Sequence, residues 1–301
     1  RTIPRRSPLT RVTAALCIGG APLKRQIESL KKKPDILVGG PSRIIELIRI
    51  KKFSTRSIEL VVLDEVDRLL SPEMRDTVAE LLSLIPESAQ FVSCSATLTE
   101  KHTNILNSLI PANSDVERIE MPAGNVLAGN ITHWVFHSER RDKIDSLRRF
   151  LVAEKPAKTL VFTAVLGQVE NITSQLQHRG IDCAALHAKL DKKDRKTAID
   201  RFRSGKTAVL VTSDLAARGL DIPGITHVVQ MDVQENTDFF IHRAGRTARA
   251  GKSGINAIFG DEFELRSLAR LEKKLGIVIY PKALYGGKVV TPEQDIPEQD
   301  S

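Results

Sequence analysis

Short apolar runs that end in polar residues or glycine recur along the chain, at Ile36-Leu37-Val38, Leu60-Val61-Val62-Leu63 and Phe91-Val92 in its first part. They resume at Thr159-Leu160-Val161-Phe162, Val209-Leu210-Val211 and Val228-Val229. The stretches between them read as amphipathic helices, and this strand-helix rhythm predicts parallel sheets covered on both faces, an α/β fold. Apolar residues at helical spacing, Ile144, Leu147 and Leu151 and again Leu268, Leu271 and Leu275, are assigned to packing. The periodicity breaks over residues 121–130, where Pro122, Gly124, Asn125, Gly129 and Asn130 place a linker. The expected organisation is a first domain over 1–120, the linker 121–130 and a second domain over 131–285. A disordered tail over 286–301 follows, carrying Glu293, Asp295, Glu298 and Asp300.

Composition agrees with two folded domains: 301 residues, 41% of them hydrophobic, suffice for two cores of ordinary size. The net charge of +8 suits an anionic partner without identifying it. Its distribution is more informative. Residues 1–56 hold 14 Lys or Arg against Glu28, Asp35 and Glu46, whereas residues 57–122 hold 4 basic against 12 acidic residues. One face for a polyanion and another for a metal would produce this segregation, as would chance sorting of solvated faces. Cys17, Cys94 and Cys183 form no CxxC pair, so neither a disulfide framework nor a zinc site is indicated and a reducing, cytoplasmic setting is the default. No apolar run approaches the roughly 18 residues of a membrane span. The first residue is Arg, which leaves any targeting signal outside view.

The chemistry concentrates in a few clusters. Leu60-Val61-Val62-Leu63-Asp64-Glu65-Val66-Asp67 puts three carboxylates directly after an apolar strand, the end at which open α/β sheets bind ligands. In phosphoryl transfer one such Asp holds Mg²⁺ and a neighbouring acid orients or deprotonates the attacking water; capping of the next helix is the structural alternative. Further along come Ser95-Ala96-Thr97, then Thr212-Ser213-Asp214-Leu215-Ala216-Ala217-Arg218-Gly219-Leu220-Asp221, then His242-Arg243-Ala244-Gly245-Arg246-Thr247-Ala248-Arg249.

In order and spacing these clusters resemble the DEAD-box helicases of superfamily two, with D-E-V-D for the D-E-A-D box, S-A-T, motif V and motif VI. The resemblance runs over almost the whole chain. It implies two RecA-like domains in tandem, each a mainly parallel sheet covered by helices on both faces, the first truncated at its N-terminus. It also implies ATP and Mg²⁺ as cofactors and RNA, single-stranded and duplex, as the partner. By this resemblance Asp64 binds hydrated Mg²⁺ and Glu65 activates the water that attacks the γ-phosphate. Asp67 relays to Ser95 and Thr97 and, through His242, to the second domain. Arg246 and Arg249, three apart on a helical turn, act as arginine fingers, because a planar guanidinium satisfies phosphoryl oxygens bidentately. Asp221 contacts the ribose, and Gly219 lets the backbone approach the nucleotide.

RNA contacts are expected on the sugar-phosphate backbone, without strong sequence preference. Gly19-Gly20 matches the family's G-G element. Gly40-Pro41-Ser42-Arg43 stands where the family has T-P-G-R, with Gly40 for Thr and Ser42 for Gly. Thr163 after the motif IV strand, Thr212 in motif V, and Lys192 with Arg195 in a Q-x-x-R position complete the set. Lys192 replaces Gln, and Ala248 takes a position where the family has Gly. Lys31-Lys32-Lys33 reads equally as an RNA patch or as an exposed basic turn.

The 301 residues contain no G-x-x-x-x-G-K-[ST] phosphate loop, no Q motif and no P-T-R-E-L element. The expectation is therefore a fragment of a helicase, inactive as ATPase on its own. A non-enzymatic RNA-binding factor on the same domains and a DNA helicase are the alternatives. A monomer is expected, with no membrane contact and with protein partners of the tail unknown.

Overall fold

The computed structural model describes residues 12–95, 98–111, 115–119, 127, 129–217, 220–234 and 236–292. The chain divides into two compact units, Arg1–Ile119 and Glu120–Ser301.

In unit 1, β1 (Ala14–Cys17), α1 (Leu23–Leu30), β2 (Ile36–Gly39) and α2 (Pro41–Arg49) are followed by β3 (Leu60–Asp64), α3 (Val66–Leu69), α4 (Arg75–Ser83), β4 (Gln90–Cys94) and α5 (Glu100–Leu109). β1 pairs with β2 and β3 with β4, both parallel, as two separate two-stranded sheets. Parallel neighbours need a crossover, and α1 provides it for the first pair. One side of these strands is packed: Ala15, Cys17, Leu37, Leu30 and Leu47 form one cluster, and Leu63, Val66, Val78 and Leu82 another. The alternate positions Leu16, Ile36, Val38, Leu60 and Val62 remain exposed, Val62 at 57%. Helices thus cover one face of the strands here, although the runs are apolar on both.

Unit 2 contains β5 (Ile131–His137), α6 (Lys143–Glu154), β6 (Thr159–Phe162), α7 (Leu166–His178), β7 (Cys183–Leu186), α8 (Lys192–Arg203), β8 (Val209–Thr212) and α9 (Asp214–Ala217). It continues with β9 (His227–Gln230), α10 (Thr237–Ala244), β10 (Gly254–Gly260), α11 (Glu262–Leu275), β11 (Ile279–Tyr285) and β12 (Lys288–Val290). These strands form one sheet in the order β12-β11-β5-β10-β9-β6-β8-β7, parallel throughout except for the β11/β12 pair. Both faces are covered. Val161, Val211, Val229 and Phe259 pack against Leu147, Phe150, Ile172 and Leu176 of α6 and α7. From the other face Leu160, Phe162 and Val228 meet Phe202, Ala216 and Ala217, while Ile131 and Ile258 meet Phe240, Ile241, Leu268 and Leu271. Asp191, Asn236 and Asp261 cap α8, α10 and α11 through their side chains, which explains where those helices begin.

The tail expectation is corrected at its start. Gly286 and Gly287, both at positive φ, turn the chain so that β12 pairs back onto β11, and Val289 joins the core near Leu284. Residues 293–301 lie outside the described residues, as do most of the linker positions, 121–126 and 128. Leu127 within that stretch is buried against the α10 and α11 side of unit 2.

Candidate functional site

In unit 1 the acidic cluster sits where β3 ends. Asp64, the last strand residue, is exposed, and its Oδ1 accepts the Glu65 amide at 3.0 Å. Glu65 is held in the left-handed region at φ 53°, ψ 54°, between the strand and α3. A non-glycine residue there costs on the order of 1 kcal/mol, as it does at Lys33, Lys51, Lys155 and Ala248; what distinguishes Glu65 is its place directly after the strand-end Asp64. Its carboxylate is half-buried and 3.8 Å from Arg68, a weak pairing that leaves it available. Asp67 and Ser95 meet directly: the Ser95 hydroxyl donates to Asp67 Oδ1 at 2.9 Å, and the Asp67 amide points back to Ser95 Oγ at 3.4 Å. The strand ends of β3 and β4 are thereby tied together. Thr97 lies outside the described residues.

At the ends of β1 and β2 in the same unit, Gly19, Gly20, Gly40 and Ser42 are exposed while Pro41 is buried as the first residue of α2. No side chain caps α2, so its first-turn amides are left to other acceptors. The Gly40 amide is not among them, since it donates to the Cys17 carbonyl at 3.2 Å. Arg43 differs from a free cationic hand: it pairs with Glu46 at 2.9 Å and donates to the Ala21 carbonyl at 3.3 Å. It braces the Gly19-Gly20 loop against α2. Gln26, which the sequence reading passed over, does the same from α1, donating to the carbonyls of Ile18 at 2.9 Å and Ala21 at 3.2 Å. A polar residue on the buried side of an otherwise amphipathic helix was the available signal.

In unit 2 the expected residues collect at the C-terminal ends of β6, β8 and β9. Arg246 donates through Nε to the His242 carbonyl and through Nη1 to the Leu220 carbonyl, both at 3.2 Å. Arg249 donates to the Gly245 carbonyl at 3.1 Å and pairs with Asp221 at 3.1 Å. The two arginines do not share one helical turn as expected. α10 stops at Ala244, Ala248 turns left-handed at φ 56°, and Arg249 opens a separate 3₁₀ turn to Gly251. Thr247 causes this break: its buried hydroxyl reaches the carbonyls of Ile225 at 2.7 Å and Thr226 at 3.1 Å, and its side chain fills the space that a Cβ on Gly254 would need. Gly219 lies outside the described residues.

Thr163 and Thr212 were expected on the RNA side, Thr212 through its hydroxyl. Thr163 directly follows β6 and Thr212 ends β8, and at 3% and 0% exposure neither side chain is open to a ligand as placed. Ala164 and Val165, just beyond, are the exposed positions of that loop. Arg195 is likewise turned inward, donating to the Ala216 carbonyl at 2.9 Å and so bracing motif V, whereas Lys192 is exposed at the start of α8.

The residue most conspicuously missed is Arg243. It is 1% exposed, and its guanidinium grips Asp214 bidentately at 2.6 Å for each bond. It also grips the Asp232 carboxylate at 2.9 Å and lies 5.5 Å from the centre of the Phe162 ring. Burial alone would raise the Asp232 carboxyl; Arg243, the Ala164 amide and the Gln234 side chain hold it below the usual carboxylate range instead. Burial likewise opposes the charge on Arg243, and the hydrogen bond to Asp214 with the two carboxylate charges reverses that, so the ion stays charged. Phe240, Ile241 and Ala244 mark the buried side of α10, and an arginine at that spacing was the signal.

Among the described residues no three His, Cys, Asp or Glu converge into a metal cage. An exposed carboxylate at a strand end still suits Mg²⁺, a hard cation that commonly keeps its waters and takes one or two carboxylates plus substrate phosphates. The cationic pair Arg246 and Arg249 beside the acidic Asp221 offers donors for phosphate and an acceptor for hydroxyls, which fits a nucleotide.

Comparison with known proteins agrees. A DEAD/DEAH box helicase model matches residues 3–105, and a helicase conserved C-terminal domain model matches residues 142–251. The chain is 34% identical over 290 residues to the DEAD-box ATP-dependent RNA helicase CshC of Bacillus cereus, covering 96% of this chain and 73% of that one. It is 34% identical to the probable ATP-dependent RNA helicase YfmL of Bacillus subtilis, covering 92% and 73%. Among solved structures, Dbp5 of S. cerevisiae bound to RNA and ADP BeF3 superposes with a TM-score of 0.78 at 25% identity, over 90% of this chain and 71% of that chain. Mss116p bound to ssRNA and AMP-PNP gives 0.74 at 26%, over 89% and 57%. The fold is thus that of a two-unit RecA-like helicase motor. The chain belongs to the DEAD-box family of ATP-dependent RNA helicases, enzymes that hydrolyse ATP.

Proposed function

We propose that Asp64, Glu65, Arg246 and Arg249 carry ATP hydrolysis in this helicase and that RNA is gripped through its backbone. The observation that carries the reading is Glu65, a carboxylate held in left-handed backbone directly after the strand-end Asp64. Asp64 would hold Mg²⁺ through water, and the ion would supply charge neutralisation between the phosphates. Glu65 orients the attacking water and accepts its proton. Arg246 and Arg249, supported by carbonyls of their own unit, present guanidinium forks to the γ-phosphoryl oxygens, and Asp221 accepts from the ribose hydroxyls. Asp67, Ser95, Thr97 and His242 carry the signal between phosphate and strand ends, with Gly219 giving the nucleotide room.

For RNA, the exposed Gly19-Gly20 loop, the first turn of α2 at Pro41 and Ser42, and Lys192 meet the sugar-phosphate backbone, with Arg43 and Arg195 as braces. Both halves of the proposed chemistry come from one chain, which supports a monomer. Three unpaired cysteines support a cytoplasmic setting. No helix among the described residues is long and apolar enough to cross a membrane.

The test is phosphate release, with and without RNA, by the chain preceded by a phosphate-binding loop. Glu65→Gln keeps the shape but cannot take a proton, so ATP and RNA should bind while hydrolysis stops. Wild-type turnover by this variant would remove Glu65 from the mechanism.

A further inference from the structure

Arg249 stands on a turn whose own residues hold it poorly. Ala248, directly before it, lies in the left-handed region at φ 56°, ψ 29°, a conformation unfavourable for any residue with a Cβ. Arg249–Gly251 is a short 3₁₀ turn, closed by a long bond from the Lys252 amide to the Arg249 carbonyl at 3.4 Å. Two side chains from outside it make up the difference. Thr247 fastens the near side through the carbonyls of Ile225 and Thr226. Asn130 fastens the far side: its side-chain amide donates to the carbonyl of Lys252 and, at 3.4 Å, to that of Ala248, the two carbonyls that bracket the turn. An NH2 group has two protons, one for each carbonyl; a carboxylate has none to give. Asn130 is itself anchored. It directly precedes Ile131, which opens the β5/β10 register opposite Gly254, and its own carbonyl accepts the Gly254 amide at 3.0 Å.

We infer that Asn130, the last residue of the expected linker, is a positioning residue for Arg249, strapping the turn from which the guanidinium meets the γ-phosphoryl oxygens. This rests on the role given to Arg249 above. The Asn130 side chain donates to backbone carbonyls of the turn, so its influence on the reaction runs through the placement of Arg249. A catalytic group displaced by about 1 Å can lose on the order of 10²-fold in rate with its charge intact. Loss of the strap should therefore slow the chemical step and leave nucleotide binding alone.

The experiment is single-turnover ATP hydrolysis at saturating RNA, with enzyme in excess so that slow variants are resolved, by the chain carrying a phosphate-binding loop. The rate at saturation reports the chemical step, and the half-saturating concentration reports binding. Asn130→Ala should lower the rate by about tenfold to a hundredfold with half-saturation unchanged. Added to Arg249→Ala, it should cost nothing further, because the two changes remove the same contribution. Asn130→Asp keeps the shape but sets carboxylate oxygens against both carbonyls, so it should lose at least as much as Asn130→Ala, whereas a packing role predicts the milder loss for Asp. A wild-type rate for Asn130→Ala, a full additional loss in the double variant, or an Asp variant close to wild type would overturn the inference and leave Arg249 in place. A wild-type rate for Arg249→Ala would remove Arg249 from the mechanism, and the inference with it.

Discussion

Arg249 donates to Asp221 at 3.1 Å, so the residue proposed for the γ-phosphate and the residue proposed for the ribose hold each other within unit 2. Both are about two-fifths exposed, which limits the pair to well under about 1 kcal/mol of stability. A bound nucleotide therefore displaces a cheap contact. Asp221→Ala should leave the unfolding midpoint within a degree or two, while abolishing any preference for ATP over 2′,3′-dideoxy-ATP in a chain that carries a phosphate-binding loop. A large midpoint shift with the preference intact would make the pair structural.

Arg246 is held by the carbonyls of His242 and Leu220, so its guanidinium sits on a rigid base. Lys has the charge without the fork. Arg246→Lys should lose nearly as much as Arg246→Ala, on the order of 10³ in kcat for a missing finger. Turnover of the Lys variant near wild type would show that charge alone suffices.

The 301 residues alone should bind single-stranded RNA weakly and release no phosphate from ATP at any RNA concentration, because their sequence holds no G-x-x-x-x-G-K-[ST] loop to cradle the β- and γ-phosphates. Affinity should fall by roughly 0.7 log units per log unit of salt for each phosphate neutralised. RNA binding at two salt concentrations, with phosphate release measured alongside, checks both halves. RNA-stimulated release, or binding indifferent to salt, contradicts the corresponding half.

His133 and His227 are buried in unit 2, and burial pushes both down to about 4 from the ordinary 6.5. The unfolded chain therefore takes up these protons first as pH falls. The stabilisation from keeping the rings neutral is fully present above pH 6.5 and is lost progressively down to about pH 4, at about 1.4 kcal/mol per pH unit for each ring. Asp232 acts in the same direction only in the carboxylate range. Urea unfolding followed by Trp134, the one tryptophan of the chain and a residue of unit 2, should show stability falling between pH 6.5 and 4.5. His133→Gln should remove about half of that slope. A flat profile would place both rings in contact with solvent.

Much of this protein was legible one residue at a time. Val209-Leu210-Val211 is buried on every position because its sheet is covered twice, and Asp64 stands at the end of its strand, directly after the apolar run Leu60–Leu63. The order of D-E-V-D, S-A-T and motifs V and VI fixed the family for the same reason: each is a local string whose chemistry depends on adjacent residues. Which arginine of His242-Arg243-Ala244-Gly245-Arg246-Thr247-Ala248-Arg249 goes inward is not a local property. Arg243 is buried because Asp214 and Asp232, 29 and 11 residues away, are brought to it by β8 and β9, and two carboxylates in low dielectric hold a charge that one of them exposed would not. Thr163 and Thr212, expected on the RNA side, are buried just past β6 and at the end of β8 in a sheet covered on both faces. Sequence determines what each segment can become; burial and long-range pairing decide which of its polar groups remain for the ligand.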